Sequence, residues 1–261
     1  MAGNNYSLGR GELNFGQFRA GTQTPRGERY LGNTPELSYT AEQENLDHYS
    51  SDRGVRVKDE SVLLQLDYTG AFITDNIDPK NLAMFFLGES ALQTVLASQV
   101  TGEEILDVEQ GLTYQLGTSD TAPSGVRQVA NVVVKNKATP ATVYAAGVDY
   151  VVDLVLARVA ILDGGAITDG TDLVVDYDIE ASTRDVVISR SMTIEGSLRY
   201  IAKNPAGQNI DYFMPWVKIT PNGDFAVKSD EWQQLPFTIE ILKKGNLEAI
   251  YMDGRPYTPA P

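Results

Sequence analysis

Residues 36–42 read Glu-Leu-Ser-Tyr-Thr-Ala-Glu, and residues 62–69 read Val-Leu-Leu-Gln-Leu-Asp-Tyr-Thr. In the first run Leu37, Tyr39 and Ala41 alternate with Glu36, Ser38, Thr40 and Glu42, the period-two pattern of a half-buried strand. In the second, Val62, Leu64, Leu66 and Tyr68 are expected on one face and Gln65, Asp67 and Thr69 on the other. The stretch between them, ENLDHYSSDRGVRVKDE (44–60), is too long for a tight hairpin and is expected to be a functional loop. After Arg184 the alternation returns as one long strand, with Val186, Ile188, Met192, Ile194, Leu198 and Tyr200 opposed by Ser189, Ser191, Thr193, Glu195, Ser197 and Arg199. Asn204-Pro-Ala-Gly207 turns that strand into a partner running to Thr220, Asn222-Gly223 reads as a hairpin, and Lys244-Gly245-Asn246 joins the last two strands.

Working outward, a helix is expected to start at Asp78-Pro79. Asp is a good N-cap, Pro suits the first helical position, and Leu82, Phe85 and Phe86 follow at helical spacing up to Gly88. A short helical turn is expected through Leu92, Val95 and Leu96. Residues 103–182 read as an inserted β-rich module, with runs such as Val129 to Val134 and Leu173 to Ile179 between Gly and Asp turns. Residues 1–29 are rich in Gly, Asn and Arg and lack a sustained period, which suggests an extended arm whose Phe15 and Phe18 anchor on a neighbouring subunit. The expected fold is therefore mainly β: an antiparallel sandwich or barrel formed by 30–102 and 183–261, one flanking helix near 78–88, and the inserted module.

Hydrophobic residues make up 42% of the 261-residue chain and charged residues 21%, enough apolar material for a real core. Nothing approaches the roughly 20 apolar residues of a membrane-spanning helix, and the first residues, MAGNNYSLGRG, lack the apolar core of a signal peptide, so folding in cytoplasm is expected. The absence of cysteine excludes disulfides, thiolate metal sites and thiol catalysis. A net charge of −14 argues against adhesive binding to phosphate backbones, which depends on Lys and Arg. Residues 100–182 hold 13 Asp plus Glu against 4 Lys plus Arg, a net of −9, and −5 remains for the rest.

Motifs for chemistry are sparse. The single histidine, His48, has no Ser, Cys or second metal ligand near it in sequence. Asp163-Gly-Gly and Asp169-Gly-Thr-Asp172 fail the spacing of a calcium loop and fit hairpin turns. Gly9, Gly11 and Gly16 do not form a phosphate-binding fingerprint. Asp59 and Glu60, adjacent on a strand, point to opposite faces. No enzymatic activity, metal or cofactor is expected.

Residues 30–89, YLGNTPELSYTAEQENLDHYSSDRGVRVKDESVLLQLDYTGAFITDNIDPKNLAMFFLGE, resemble the N-terminal half of the major tail tube proteins of tailed bacteriophages. The resemblance rests on an ordered set of features: Gly32-Asn-Thr-Pro35, an alternating strand, a His48-Tyr-Ser-Ser loop ending in Lys58-Asp-Glu-Ser61, a second strand, then Asn81-Leu82 entering an aromatic helix. Residues 184–253 share the strand pattern, and the 103–182 insert departs from the simplest members. The resemblance implies hexameric rings stacked into a hollow tube, a passive conduit for duplex DNA. Its other partners would be a tape-measure protein, a tail terminator and tail-tip or baseplate proteins, in a virion tail assembled in host cytoplasm.

On that reading the polar strand faces, with Glu36, Glu42, Glu44, Asp67, Glu195 and Glu240, line the lumen. The 45–60 loop, with His48, Arg53, Arg56, Lys58 and Asp59, makes contacts between stacked rings, and the acidic insert lies outside the bore. Six subunits of four strands each give about 24 strands, and at roughly 4.8 Å spacing a backbone diameter near 37 Å, wide enough for a duplex. The alternative expectation is a β-sandwich carbohydrate-binding or adhesive module, for which the insert and the 13 tyrosines are the best support.

Overall fold

The computed structural model describes residues 6–52 and 54–254; Arg53 lies outside the described residues. Among the described residues the chain is mainly antiparallel β with one α-helix. It divides into two compact units, one formed by residues 1–91 and 186–261 and the other by Leu92–Asp185.

The first unit contains β1 (Gly11–Gln17), β2 (Arg29–Tyr30), β3 (Glu36–Ser50), β4 (Val57–Thr74) and α1 (Pro79–Phe85). The chain leaves along β5 (Glu89–Val95). The second unit holds β6 (Ser98–Val108), β7 (Thr113–Gln115), β8 (Val129–Asn136), β9 (Tyr150–Asp153), β10 (Arg158–Ile161) and β11 (Thr171–Ile179). The chain returns along β12 (Ser182–Ile188), which pairs with β5, and finishes with β13 (Ile194–Ala202), β14 (Ile210–Pro221), β15 (Leu235–Ile241) and β16 (Tyr251–Gly254).

In the first unit one sheet runs in the order β2-β1-β13-β14-β15-β4-β3, with β16 also on β14. Its strands alternate as a one-sided sheet must. Phe72, Phe237, Ile239, Ile241, Val217, Ile219, Leu198 and Ile194 are buried on one face, where Leu13, Phe15, Leu31 and Met84 pack with them. Phe72 and Phe237 stack with ring centroids 4.9 Å apart. The core face is concave: β3 and β14 are three strands apart, roughly 14 Å in a flat sheet, yet the Tyr39 and Tyr212 rings stack at 5.9 Å. Tyr39 reaches inward because its cross-strand neighbour is Gly70, where an added Cβ would lie 2.9 Å from the Tyr39 ring.

Helix α1 forms where expected. Asp78 accepts from the Asn81 backbone N–H at 2.7 Å, and Pro79 occupies the first turn. Asn81 is fully buried and donates through Nδ2 to the Leu31 and Asn76 carbonyls, both at 2.9 Å, so it clips the entry of β3 to the helix. Thr74, also buried, shares its hydroxyl proton between the Leu31 and Asn33 carbonyls.

In the second unit the sheets β7-β10-β9 and β6-β11-β8 share one core, with Val159, Ile161 and Tyr150 from the first sheet and Val134, Leu173, Val175 and Tyr177 from the second. Asp149, 6% exposed, accepts from the Ala145 and Ala166 N–H groups at 2.8 Å each and ties two loops together.

Several sequence expectations are corrected. The segment read as an arm contributes β1, paired with β13 from Gly11↔Ala202 to Gln17↔Gly196. Phe15 and Phe18 are 2% and 8% exposed within their own subunit, so neither is an anchor on a neighbour. Phe15 fits because Gly196 leaves room: a Cβ there would sit 2.6 Å from the Phe15 ring. Residues 44–60 are not a loop, because β3 and β4 stay paired out to Ser50↔Val57. A register shift between Glu44 and Asn45, opposite Gln65 and Leu63, breaks the strict alternation expected from Val62 to Tyr68, and a second at Tyr49 falls opposite Lys58. Leu92 and Val95 lie on or at the end of β5 rather than on a helical turn, since that apolar spacing serves a strand equally well. The long strand after Arg184 is interrupted at residues 189–193. Asn222-Gly223 opens the long 222–234 connection rather than a tight hairpin, and β15 and β16 both pair with β14 rather than with each other.

Candidate functional site

The register fixes which side chains share the outer face of the main sheet. Glu195 is opposite Lys218, Lys218 opposite Glu240, Glu240 opposite Thr69, and Thr69 opposite Thr40, one polar row across five strands. One step further along β3 and β4, Glu42 is opposite Asp67, and Glu44 is opposite Gln65. Glu36 shares the β3 parity of Glu42 and Glu44. All six carboxylates singled out in the sequence therefore lie on one face of one sheet. Glu36, Glu42, Glu44, Asp67 and Glu240 are exposed and Glu195 is half-buried. The cation in the row, Lys218, lies 3.9 Å from Glu240.

Beyond Ala41 and Tyr68 the β3–β4 pair continues as a two-stranded ribbon with no third strand, because β15 stops pairing at Tyr68. Its side chains are exposed on both faces. Leu46 is opposite Val62 and Leu63 opposite Asn45, and these, with Leu64, Leu66, Val57 and Tyr49, are between 40% and 61% exposed. Among the charged residues, Asp47 accepts from Lys58 at 2.6 Å and from the Ser61 hydroxyl at 2.7 Å, which holds its carboxyl below the ordinary range. His48 Nδ1 lies 2.6 Å from Asp59 Oδ1, and the Arg56 guanidinium lies over the Tyr49 ring at 5.2 Å. The structure thus brings His48, Arg56, Lys58 and Asp59 together at the outer end of the ribbon. The outer edge of β3 is also a sheet edge, a row of backbone groups ready for another strand.

A second concavity, about 830 Å³, lies between the 17–29 segment, α1 and residues 192–195. Arg29 lines it; burial lowers the pKa of its guanidinium, which donates to Met84 Sδ at 3.0 Å and lies 3.9 Å from Asp78. Arg19, Arg26, Lys80, Glu28, Glu89 and Glu195 line it too, a mixed-charge cleft without histidine or cysteine. Among the described residues no group of three His, Cys, Asp or Glu side chains could hold a metal ion, and no helix is long and apolar enough to cross a membrane.

Sequence reading missed one exposed group. Trp232 is 93% exposed and Val227 74%, both on the 222–234 connection between β14 and β15. An isolated tryptophan in a sequence reads as core, and no local pattern marks it otherwise.

A family model described as protein of unknown function UCP028589 matches residues 6–248. The chain belongs to that family. The match spans both compact units, so the 92–185 unit lies inside the region the family shares. No curated protein matches the chain.

Proposed function

We propose that this protein is the structural subunit of a bacteriophage-type tail tube, joining copies of itself into hexameric rings that stack into a hollow conduit for duplex DNA. The observation that carries the reading is the convergence of Glu36, Glu42, Glu44, Asp67, Glu195 and Glu240 on one exposed sheet face. A water-filled bore needs a sheet whose second face is polar, and a wall rich in carboxylates repels phosphates that Lys or Arg would capture. DNA in such a bore lies within about a Debye length, roughly 8 Å, of the wall, so that charge acts on it.

The ribbon and the β3 edge support self-assembly. Large apolar side chains exposed on both faces of a two-stranded projection are unfavourable in an isolated subunit and are expected to be covered by a neighbour. Edge-to-edge joining removes the open β3 edge. In this reading the outer end of the ribbon, with His48, Arg56, Lys58 and Asp59, contacts the next ring. The tape-measure, terminator and tip proteins are the further partners, and the role is passive and needs no cofactor.

Negative-stain microscopy of the concentrated purified protein tests this directly. Rings or filaments of uniform width with a central channel are expected. A protein that stays monomeric across concentration and salt would overturn the reading.

A further inference from the structure

We infer that the 222–234 connection, anchored by Trp232, is the surface that receives the ribbon end of the next copy; this rests on the tube reading and names the contact that propagates it. Leu235 is opposite Thr74, so the connection lies at the end of the sheet where β4 finishes, whereas the ribbon lies at the end where β4 begins. Seventeen residue steps of β4 separate them, roughly 55 Å at strand rise. The two surfaces cannot meet within one molecule.

Their chemistry matches. The receiving end exposes Trp232 at 93%, Val227 at 74% and Phe86 at 43%, the last packed edge-on against Phe225 of the connection. The connection carries Asp224, Asp230 and Glu231 against the single cation Lys228. The ribbon end exposes Val55 at 71% and Val57 at 61% on either side of Arg56, whose guanidinium lies over the Tyr49 ring, while Lys58 is paired with Asp47 and His48 with Asp59. An apolar, acidic surface and an apolar one that presents Arg56, at opposite ends of one sheet, form a heterologous pair, and heterologous pairs propagate rather than close on themselves as dimers. A fully exposed tryptophan is a poor surface residue and the commonest anchor of protein interfaces. It buries about 150–250 Å² when covered, against the roughly 800 Å² per partner of a stable interface, so Trp232 anchors a contact completed by the rest of the ribbon.

The test uses the full chain. Trp232→Ala is expected to leave the thermal transition of the monomer unchanged and to raise the concentration needed for assembly at least tenfold. The wild-type minus Trp232→Phe fluorescence difference should be readily quenched by iodide in dilute monomer and protected in assemblies. Glu231→Arg and Arg56→Glu should each hinder assembly, and combining them should restore it. If Trp232→Ala assembles at the wild-type concentration while Trp232 stays open to iodide in tubes, the inference fails and the tube reading stands. If both charge variants hinder assembly but their combination does not restore it, the ribbon end is not what the connection receives. A wild-type protein that never assembles removes both proposals.

Discussion

Glu42 and Asp67 stand directly opposite one another on the exposed face of β3 and β4. Like charges across an antiparallel pair are unfavourable, by about 0.2–1 kcal/mol. Asp67→Asn is therefore expected to stabilise the monomer by a few tenths of a kcal/mol in urea unfolding at low salt, with the gain shrinking as ionic strength rises. Gln65 Nε2 donates to Asp67 at 2.5 Å, a bond that the Asn amide oxygen can keep, so a destabilised variant would show that this contact outweighs the repulsion from Glu42.

Replacing Glu36, Glu42 and Glu44 together by Lys tests what that face does. The three side chains are exposed, so folding should change by no more than about 0.5 kcal/mol per site. If the face lines a DNA path, particles carrying the variant should show intact tails but release DNA slowly, with release recovering at higher salt as phosphate capture weakens. Normal release from intact tails would place these carboxylates elsewhere.

Phe15 belongs to the fold. Phe15→Ala should cost about 3–5 kcal/mol, and deleting residues 1–18 should abolish the cooperative transition, because β13 would lose its partner along β1. Circular dichroism with thermal melting decides this; a truncated chain that melts like wild type would return the segment to the status of an arm.

Tyr39 lies in the concave core with its hydroxyl unpaired. Burial, reinforced by Tyr212 and Tyr200, pushes its pKa above the ordinary value of 10. The folded state therefore keeps a proton that the unfolded chain releases above about pH 10. This contribution to stability is complete below that pH and is lost as pH rises towards the folded pKa. Tyr39→Phe should be more stable by on the order of 1 kcal/mol at neutral pH, through removal of an unsatisfied group, and should lose less stability between pH 9 and 11. Parallel alkaline curves for the two proteins would count against it.

What the sequence made legible follows from which faces are buried. Leu37 and Tyr39 alternate with polar residues because one face of β3 packs on a core there, and the same parity placed Glu36, Glu42 and Glu44 together. From Glu44 outward neither face of the ribbon is buried, so alternation carries no information and a long strand looks like a loop. β1 was hidden by Gly11 and Gly16, which read as punctuation, although Gly16 packs closely against the Ser197 hydroxyl. The break at 189–193 and the shifts in β4 are irregularities of strand pairing, which a strict period-two pattern cannot express. Trp232 was invisible because exposure of a large aromatic is decided by what lies around it, not by its neighbours in the chain.

The pairing of β5 with β12 has a consequence for engineering. The points where the chain departs for residues 92–185 and comes back lie on adjacent strands, about 4.8 Å apart. A two-residue turn could join them as an ordinary hairpin, and a foreign domain with neighbouring termini could be spliced in without stretching the host sheet. Residues 92–185 are thus a position at which cargo can be exchanged, and if copies join into rings of six as proposed, each ring would carry six copies of whatever is grafted there.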